Sequence, residues 1–578
     1  MKPFVTSLFV SFALLSGCAT STPRADPSTQ LQAGQSQATI ILTNAHVYSM
    51  DAQRSRAEAV ALAGDRILAV GSNAEIAKLA TPSTTTFDLH GAFVLPGFHD
   101  AHVHLVNGGV ELHRCDLSAL HSIASIIERL KTCATEQPSE WLTGSGWDLS
   151  LFPAGNPSSS VLDAVTSTRP IFLVGADGHS AWVNSAALSA ARIGKSTPNP
   201  ALGVIERAAD GTPSGTLRES AMQLVSALLP PPDDAERLRG LRTATDIASR
   251  YGITSAIEAS ANAALLSTYR EALAGNALPL RVVTCIRYTA AQHEETLALL
   301  RSAPHTGQVR ATCAKIFVDG VLEGETAALI EPYLQHTDNH RGTLNLTAAD
   351  LTRAVTALDA DGVQVHMHAI GDGAVRAALD AVAAAEITNT HSRSVAHDSR
   401  HHIAHLQLVH PTDYPRFASL GVTANFQALW AFPDAYIRDI NTAQVGAERV
   451  QRMYPIGSLL AAAANIVGGS DWSVSSMNPL DAIEVAVTRQ DPDGRRPDVL
   501  NAQQRVSLDS MLAAYTIHGA WLMRQETEVG SIEPGKLADL VVLDRDLFEI
   551  PPAEINQAQV LYTFFGGRVV YGREATSP

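Results

Sequence analysis

Apolar runs with strand-like alternation recur along most of the chain, separated by stretches with helical periodicity. The runs are GFHDAHVHL at 97–105, GITSAIEAS from 252, LRVVTCIR from 280, VRATCAKIFVDG from 309, GVQVHMHAIGD from 362, RHHIAHLQLV from 400, GVTANFQALW from 421 and ANIVGGSDWSV from 464. Between several of them lie amphipathic segments such as DAERLRGLRTATDIASRY (234–251) and AADLTRAVTALDADG (348–362). Strands alternating with helices predict parallel βαβ units, and eight such strands fit a closed β/α (TIM-type) barrel over residues 96–524. One interval is too long for a simple connection. Residues 106–232 contain WLTGSGWD, RPIFLVGADGHSAWVNSAAL and GTPSGTLRESAM, enough for an inserted α/β subdomain over the barrel mouth.

Two further strand-rich regions lie outside this alternation. Residues 38–95 read as ATIILTNAHVYSM, AEAVALAGDRILAVG and TTTFDLHGAFVL, while 525–575 contain GSIEPGKLADLVVLDRD and VLYTFFGGRVVYG. Each is short for an independent sheet, so the two are expected to combine into one small β-sandwich built from both termini. The first residues form a different kind of segment. Lys2, an apolar run from Phe4 to Leu15 and LLSGC ending at Cys18 have the organisation of an export signal, and the run is too short for a confident membrane span. LLSGC resembles a bacterial lipobox, which implies cleavage after residue 17 and lipidation of Cys18. Residues 19–37 are polar and read as a flexible tether. The expected product is an exported protein, lipid-anchored and periplasm-facing.

At 578 residues, with 46% apolar and 17% charged side chains, the chain can bury a large core. Its net charge of −16 is dispersed and no clustered basic face is visible, which argues against a nucleic-acid partner. Export would permit disulfides. Cys115 and Cys133 flank the helical segment HSIASIIERLKT and are expected to pair; Cys285 and Cys313 lie on two apolar strands and fit either a disulfide or buried thiols. No CxxC occurs, so a cysteine zinc site is not expected. No GxSxG elbow or Walker loop occurs at a strand-to-helix turn, which leaves serine-hydrolase and nucleotide-hydrolysing chemistry without support.

The candidate chemistry lies at the ends of the apolar runs. In DAHVH, the period of two along a strand turns His102 and His104 to one side, so both imidazoles could hold one ion. Lys315, His368, His405 and Asp471 follow on later runs. Functional groups of a β/α barrel come from the C-terminal ends of its strands, which is where each of these falls.

These stretches resemble the metal-dependent amidohydrolases, and within them the YtcJ-like branch that includes N-substituted formamide deformylase. The resemblance rests on LPGFHDAHVHL, GWD at 146, DGHSAWVNSAAL, TPSGTLRESAM, KIFVDG, HAIGDGAV, HIAHLQLV, GSDWSV with NPLDAIEVAVTRQ, and AYTIHGAWLM leading into VGSIEPGKLADLVVLDRD, together spanning roughly 38–575. It implies that His102 and His104 hold one divalent ion, that His368 and His405 hold a second, and that Lys315 bridges them as a carbamate. An apolar setting such as CAKIFV favours the neutral amine that attacks carbon dioxide, and an unmodified Lys315 would instead pair with Asp319 or Glu323. Asp471 is implied to be both a metal ligand and the general base, and Asp372 to orient His368. Zinc suits the nitrogen and oxygen donors, as one ion or two. His366 lies on the strand face of His368 but outside the family motif. Two positions depart from the usual pattern, Gly373 after HAIGD where arginine is common, and Ala404 in place of glutamate.

The implied activity is hydrolysis of a C–N bond in an amide, N-acyl amine or N-formyl amine by metal-activated hydroxide. Trp147, His179, Trp182, Glu219 and Trp430 are expected substrate contacts, though the insert's aromatics could equally be its core. The partner expected is a small-molecule substrate, with no nucleic acid, a membrane only through the lipid anchor, and room for a homo-oligomer. Two alternatives stay open: an ester, lactone or phosphoester hydrolase using the same site, and a non-catalytic lipoprotein that binds a metal or small ligand.

Overall fold

The computed structural model describes residues 37–572 except 119, 137–138, 305 and 391–397. The expected signal segment with Cys18, and all of the 19–37 tether but its last residue, lie outside the described residues.

Eight parallel strands form the central sheet: β1 (Phe98–Val103), β2 (Ile253–Ala261), β3 (Arg281–Arg287), β4 (Val309–Phe317), β5 (Gln364–Ala369), β6 (His402–His405), β7 (Thr423–Phe426) and β8 (Ile466–Gly468). Each coincides with one of the apolar runs, β2 extending one residue past its own. The sheet order follows the chain, and its two edges meet where the Asp471 N–H donates to His102 C=O at 2.7 Å and the His104 N–H to Trp472 C=O at 2.8 Å. That closure carries the end of β8 to the end of β1 and brings Asp471 against the histidine pair.

Local chemistry sets the helices. Asp233 accepts from the Glu236 N–H at 2.7 Å while the Glu236 side chain accepts from the Asp233 N–H at 2.9 Å. This capping box starts the helix Asp234–Arg250, and Leu241, Ala244 and Ala248 bury its inner face. Thr347 caps Ala348–Ala360 by accepting from the Asp350 N–H at 3.1 Å. Both helices end at Gly252 and Gly362, each with positive φ, where no Cβ opposes the left-handed turn into the next strand.

The terminal strands share one sheet. Phe93–Pro96 runs antiparallel to Leu540–Leu543, with Leu95 opposite Val541, and His46–Tyr48 flanks it on the N-terminal side. A four-stranded sheet from 40–88 faces it across Leu42, Val60, Leu62, Val94, Leu540 and Phe564. The insert after β1 contains its own six-stranded mixed sheet, between Cys115 and Glu219. A disulfide joins Cys115 on its first strand to Cys133 in the helix Ile123–Glu136, and a second joins Cys285 on β3 to Cys313 on β4.

Candidate metal centre and its cleft

Asp471 is the hub of the site. Its carboxylate Oδ1 lies 3.3 Å from His102 Nε2 and 3.1 Å from His104 Nε2, and Oδ2 lies 3.8 Å from His405 Nδ1. Ligand atoms of His102, His405 and Asp471 all lie within 4.8 Å of one another, as a metal ion requires. The His368 ring sits 4.5 Å from the His405 ring, extending the cluster towards β5. Backbone geometry at this point is unusual: His405 has φ +80° and Asp471 φ +53°, left-handed conformations that cost side-chain-bearing residues energy.

Buried partners set the imidazoles' directions. His102 Nδ1 is 3.0 Å from His366 Nε2, His104 Nδ1 is 3.7 Å from Glu258 Oε1, and His368 Nδ1 is 3.3 Å from Asp319 Oδ1. In each case holding Nδ1 leaves Nε2 for the centre of the site. Asp319 is itself anchored, its two oxygens accepting from the backbone N–H groups of Ala328 (2.9 Å), Ile370 (3.0 Å) and Gly371 (2.9 Å). The expected partner of His368 was Asp372, and this is corrected. The Asp372 carboxylate accepts from the Ile330 N–H at 2.9 Å, and Asp319, reaching across from the end of β4, is the carboxylate beside His368.

Electrostatics divides the cluster. Burial, reinforced by the Lys315 charge, pushes His102 down to about 3. Burial and the neighbouring His368 hold His405 well below the usual imidazole value. Burial acts the same way on His104, yet Asp471 and Glu258 outweigh it and raise this residue to about 9. Asp471, despite its burial, is held well below the usual carboxylate range by His102 and its other imidazole neighbours. Lys315 is 1% exposed, forms no ion pair among the described residues, and is pushed by burial down to about 7; its Nζ lies 5.0 Å from the Phe317 ring. Neither Asp319 nor Glu323 pairs with Lys315: Asp319 lies beside His368 and Glu323 accepts from Asn441.

A cleft opens above these groups. One cavity of about 1010 Å³ is lined by His102, His104, Lys315, His368, His405 and Asp471, together with His179 and Glu219 from the insert. His179 Nδ1 is 3.0 Å from Glu219 Oε2, and Glu219 Oε1 accepts from the Thr326 hydroxyl at 2.8 Å, so the pair is tied to the barrel. A second cavity of about 710 Å³ shares His368, His405 and Asp471 and adds Trp430, Phe432 and Tyr436. Trp430 lies parallel to the His405 ring, with centroids 5.6 Å apart.

Trp147 and Trp182, expected as substrate contacts, line neither cavity. Both are fully buried in the insert's core, packed on each other and on Phe152, with their indole N–H groups donating to Leu173 C=O and Ser158 C=O. Large aromatics in GWD and SAWV satisfy the core demand of a small sheet, and only tertiary packing separates that use from a cleft wall. The sequence reading also passed over Glu258, a lone carboxylate in the apolar run GITSAIEAS. An unpaired acid among buried strand residues was the signal that could have marked it.

Comparisons with known proteins agree with this geometry. The amidohydrolase family model matches residues 85–571. The protein YtcJ of Bacillus subtilis is 29% identical over 535 residues, covering 91% of this chain and 98% of that one. The N-substituted formamide deformylase of Arthrobacter pascens is 28% identical over 555 residues, covering 92% and 98%. The crystal structure of an uncharacterized metal-dependent hydrolase from Pyrococcus furiosus superposes with a TM-score of 0.67 at 25% identity, covering 88% of this chain and 99% of that one. Closed barrel, clustered imidazoles and a match over most of the length lead to one conclusion: the chain belongs to the amidohydrolase family.

Proposed function

We propose that the protein is a metal-dependent hydrolase that cleaves a C–N bond in a small amide, N-acyl amine or N-formyl amine. The observation that carries this reading is the convergence of His102, His104 and His405 on the carboxylate of Asp471 at the floor of an open cleft. The residues fit a divalent ion. His405 Nδ1 and Asp471 Oδ1 are buried without a hydrogen bond, an arrangement that is costly unless a cation completes it. The donors are nitrogen and oxygen, a set that suits zinc. We assign His102, His104, His368, His405 and Asp471 as the residues that would hold the ion, and Lys315 as a carbamate that would add oxygen donors. Burial supports that modification by favouring the neutral amine.

An ion held there would polarise the scissile carbonyl and acidify the attacking water. Asp471 is ionised and buried at the cleft floor, so it accepts the proton of that water as attack begins. The same carboxylic acid then returns the proton to the departing nitrogen, which leaves as a neutral amine. His366, Glu258 and Asp319 position the imidazoles and take no part in proton transfer. On the cleft walls, His179 with Glu219 and the ring of Trp430 contact the substrate. The insert supplies His179 and Glu219 to this wall. The formamide-cleaving relative supports the C–N assignment as the closer choice over esters.

Elemental analysis of the purified protein, combined with a panel of N-formyl and N-acyl amines and their ester analogues, tests this reading. We expect one or two zinc ions per chain, turnover of amides ahead of esters, and at least a thousandfold loss of kcat in Asp471→Asn with metal retained. Full activity at zero metal content would refute it. We also propose export and lipid anchoring through Cys18, supported by the LLSGC motif. The Cys18→Ser protein is then expected to leave the membrane fraction and to lose incorporation of radiolabelled palmitate.

A further inference from the structure

Arg287 is the last residue of β3, paired in register with Lys315 on β4. Two positions earlier, Cys285 pairs with Cys313, and those two are joined inside the barrel. Side chains two apart on a strand share a face, so Arg287 points into the barrel mouth directly above the disulfide and beside Lys315. Its guanidinium lies 5.3 Å from the Phe317 ring, the ring that Lys315 also approaches, and it lines the 1010 Å³ cavity. It makes no ion pair with any carboxylate among the described residues. The carboxylates of the same lobe already have partners: Glu219 has His179 and Thr326, Asp319 the backbone, Asp350 has Arg353, Glu111 has Ser473, Asp116 has Ser118, Asp177 has Ser180, and Asp471 has the imidazoles of His102 and His104.

We propose that Arg287 receives a carboxylate of the substrate, so that the amides cleaved carry a free acid group lying in the Arg287 lobe. The inference rests on the hydrolase reading only for the identity of the bond broken. A guanidinium fork matches a carboxylate with two parallel hydrogen bonds, and stacking on Phe317 fixes its plane.

The test is calorimetric binding of hydrocinnamate and hydrocinnamamide to the metal-loaded enzyme and to Arg287→Met, paired with kcat/KM for hippurate and hippuramide. The acid is expected to bind about 10–100-fold more weakly to Arg287→Met, with the neutral amide unchanged, as for loss of a charged hydrogen-bond pair. Unchanged binding of hydrocinnamate overturns the proposal. So does an equal loss for acid and amide, the sign that Arg287 only balances charge around Lys315. The two readings fail separately. Arg287-dependent binding without any turnover would refute the hydrolase alone, whereas equal turnover of hippurate and hippuramide by both proteins would refute the role of Arg287 alone.

Discussion

Asp319→Asn separates the structure from the sequence expectation more sharply than any change at a ligand. Asp319 is fully buried and accepts three backbone N–H bonds while lying 3.3 Å from His368 Nδ1. In the least disruptive orientation the asparagine oxygen keeps the Ala328 and Gly371 bonds and turns its NH2 group towards Ile370 N–H and His368. One buried donor is then stranded, at about 1–3 kcal/mol, and two charged bonds become neutral, so we expect a loss of about 2–4 kcal/mol in stability. The effect on the site is distinct. An NH2 group facing Nδ1 makes that nitrogen an acceptor and moves the proton to Nε2, the tautomer that cannot hold an ion. Metal affinity, measured by competition with a chromophoric chelator, should fall about 10–100-fold, and thermal unfolding should shift downward. Asp372→Asn should leave metal affinity at the wild-type value. The reasoning fails if Asp319→Asn binds metal normally, or if Asp372→Asn shows the loss instead.

Three other outcomes can be checked directly. Lys315→Met should remove activity, and Lys315→Glu should regain part of the metal content because it restores an oxygen donor; atomic absorption on both variants reads this. In the metal-free protein His104 is raised to about 9, so an incoming ion must displace its proton. Affinity for zinc should therefore rise about tenfold per pH unit below 9 and level off above it, and a flat profile between pH 6 and 8 would contradict the assignment. Trp430→Ala should raise KM with little change in unfolding temperature. Trp147→Ala, which empties a packed core, should cost about 3–5 kcal/mol in stability and act on KM only through unfolding.

Much of this was legible because periodicity is local. The eight barrel strands, the inserted α/β segment and the pairing of terminal strands followed from apolar alternation and turn residues, whose signals lie within a few residues of each other. His102 and His104 could likewise be paired from strand geometry alone, and their family resemblance carried the other candidate ligands. Partnerships across the barrel were not legible. Asp319 meets His368 from the neighbouring strand, Glu258 reaches His104 from β2, and His366 holds His102 from the opposite side of the barrel. Asp372 was the nearer choice in sequence, but the helix it begins turns its carboxylate to the Ile330 N–H. Trp147, Trp182 and Trp430 looked alike along the chain, and only packing sent two to a core and one to a cleft wall. The sequence by itself determined which elements form and which residue types could do chemistry, because side-chain period and residue identity are properties of short segments. Tertiary structure alone decided which group orients which, because closure of the sheet brings together atoms hundreds of residues apart.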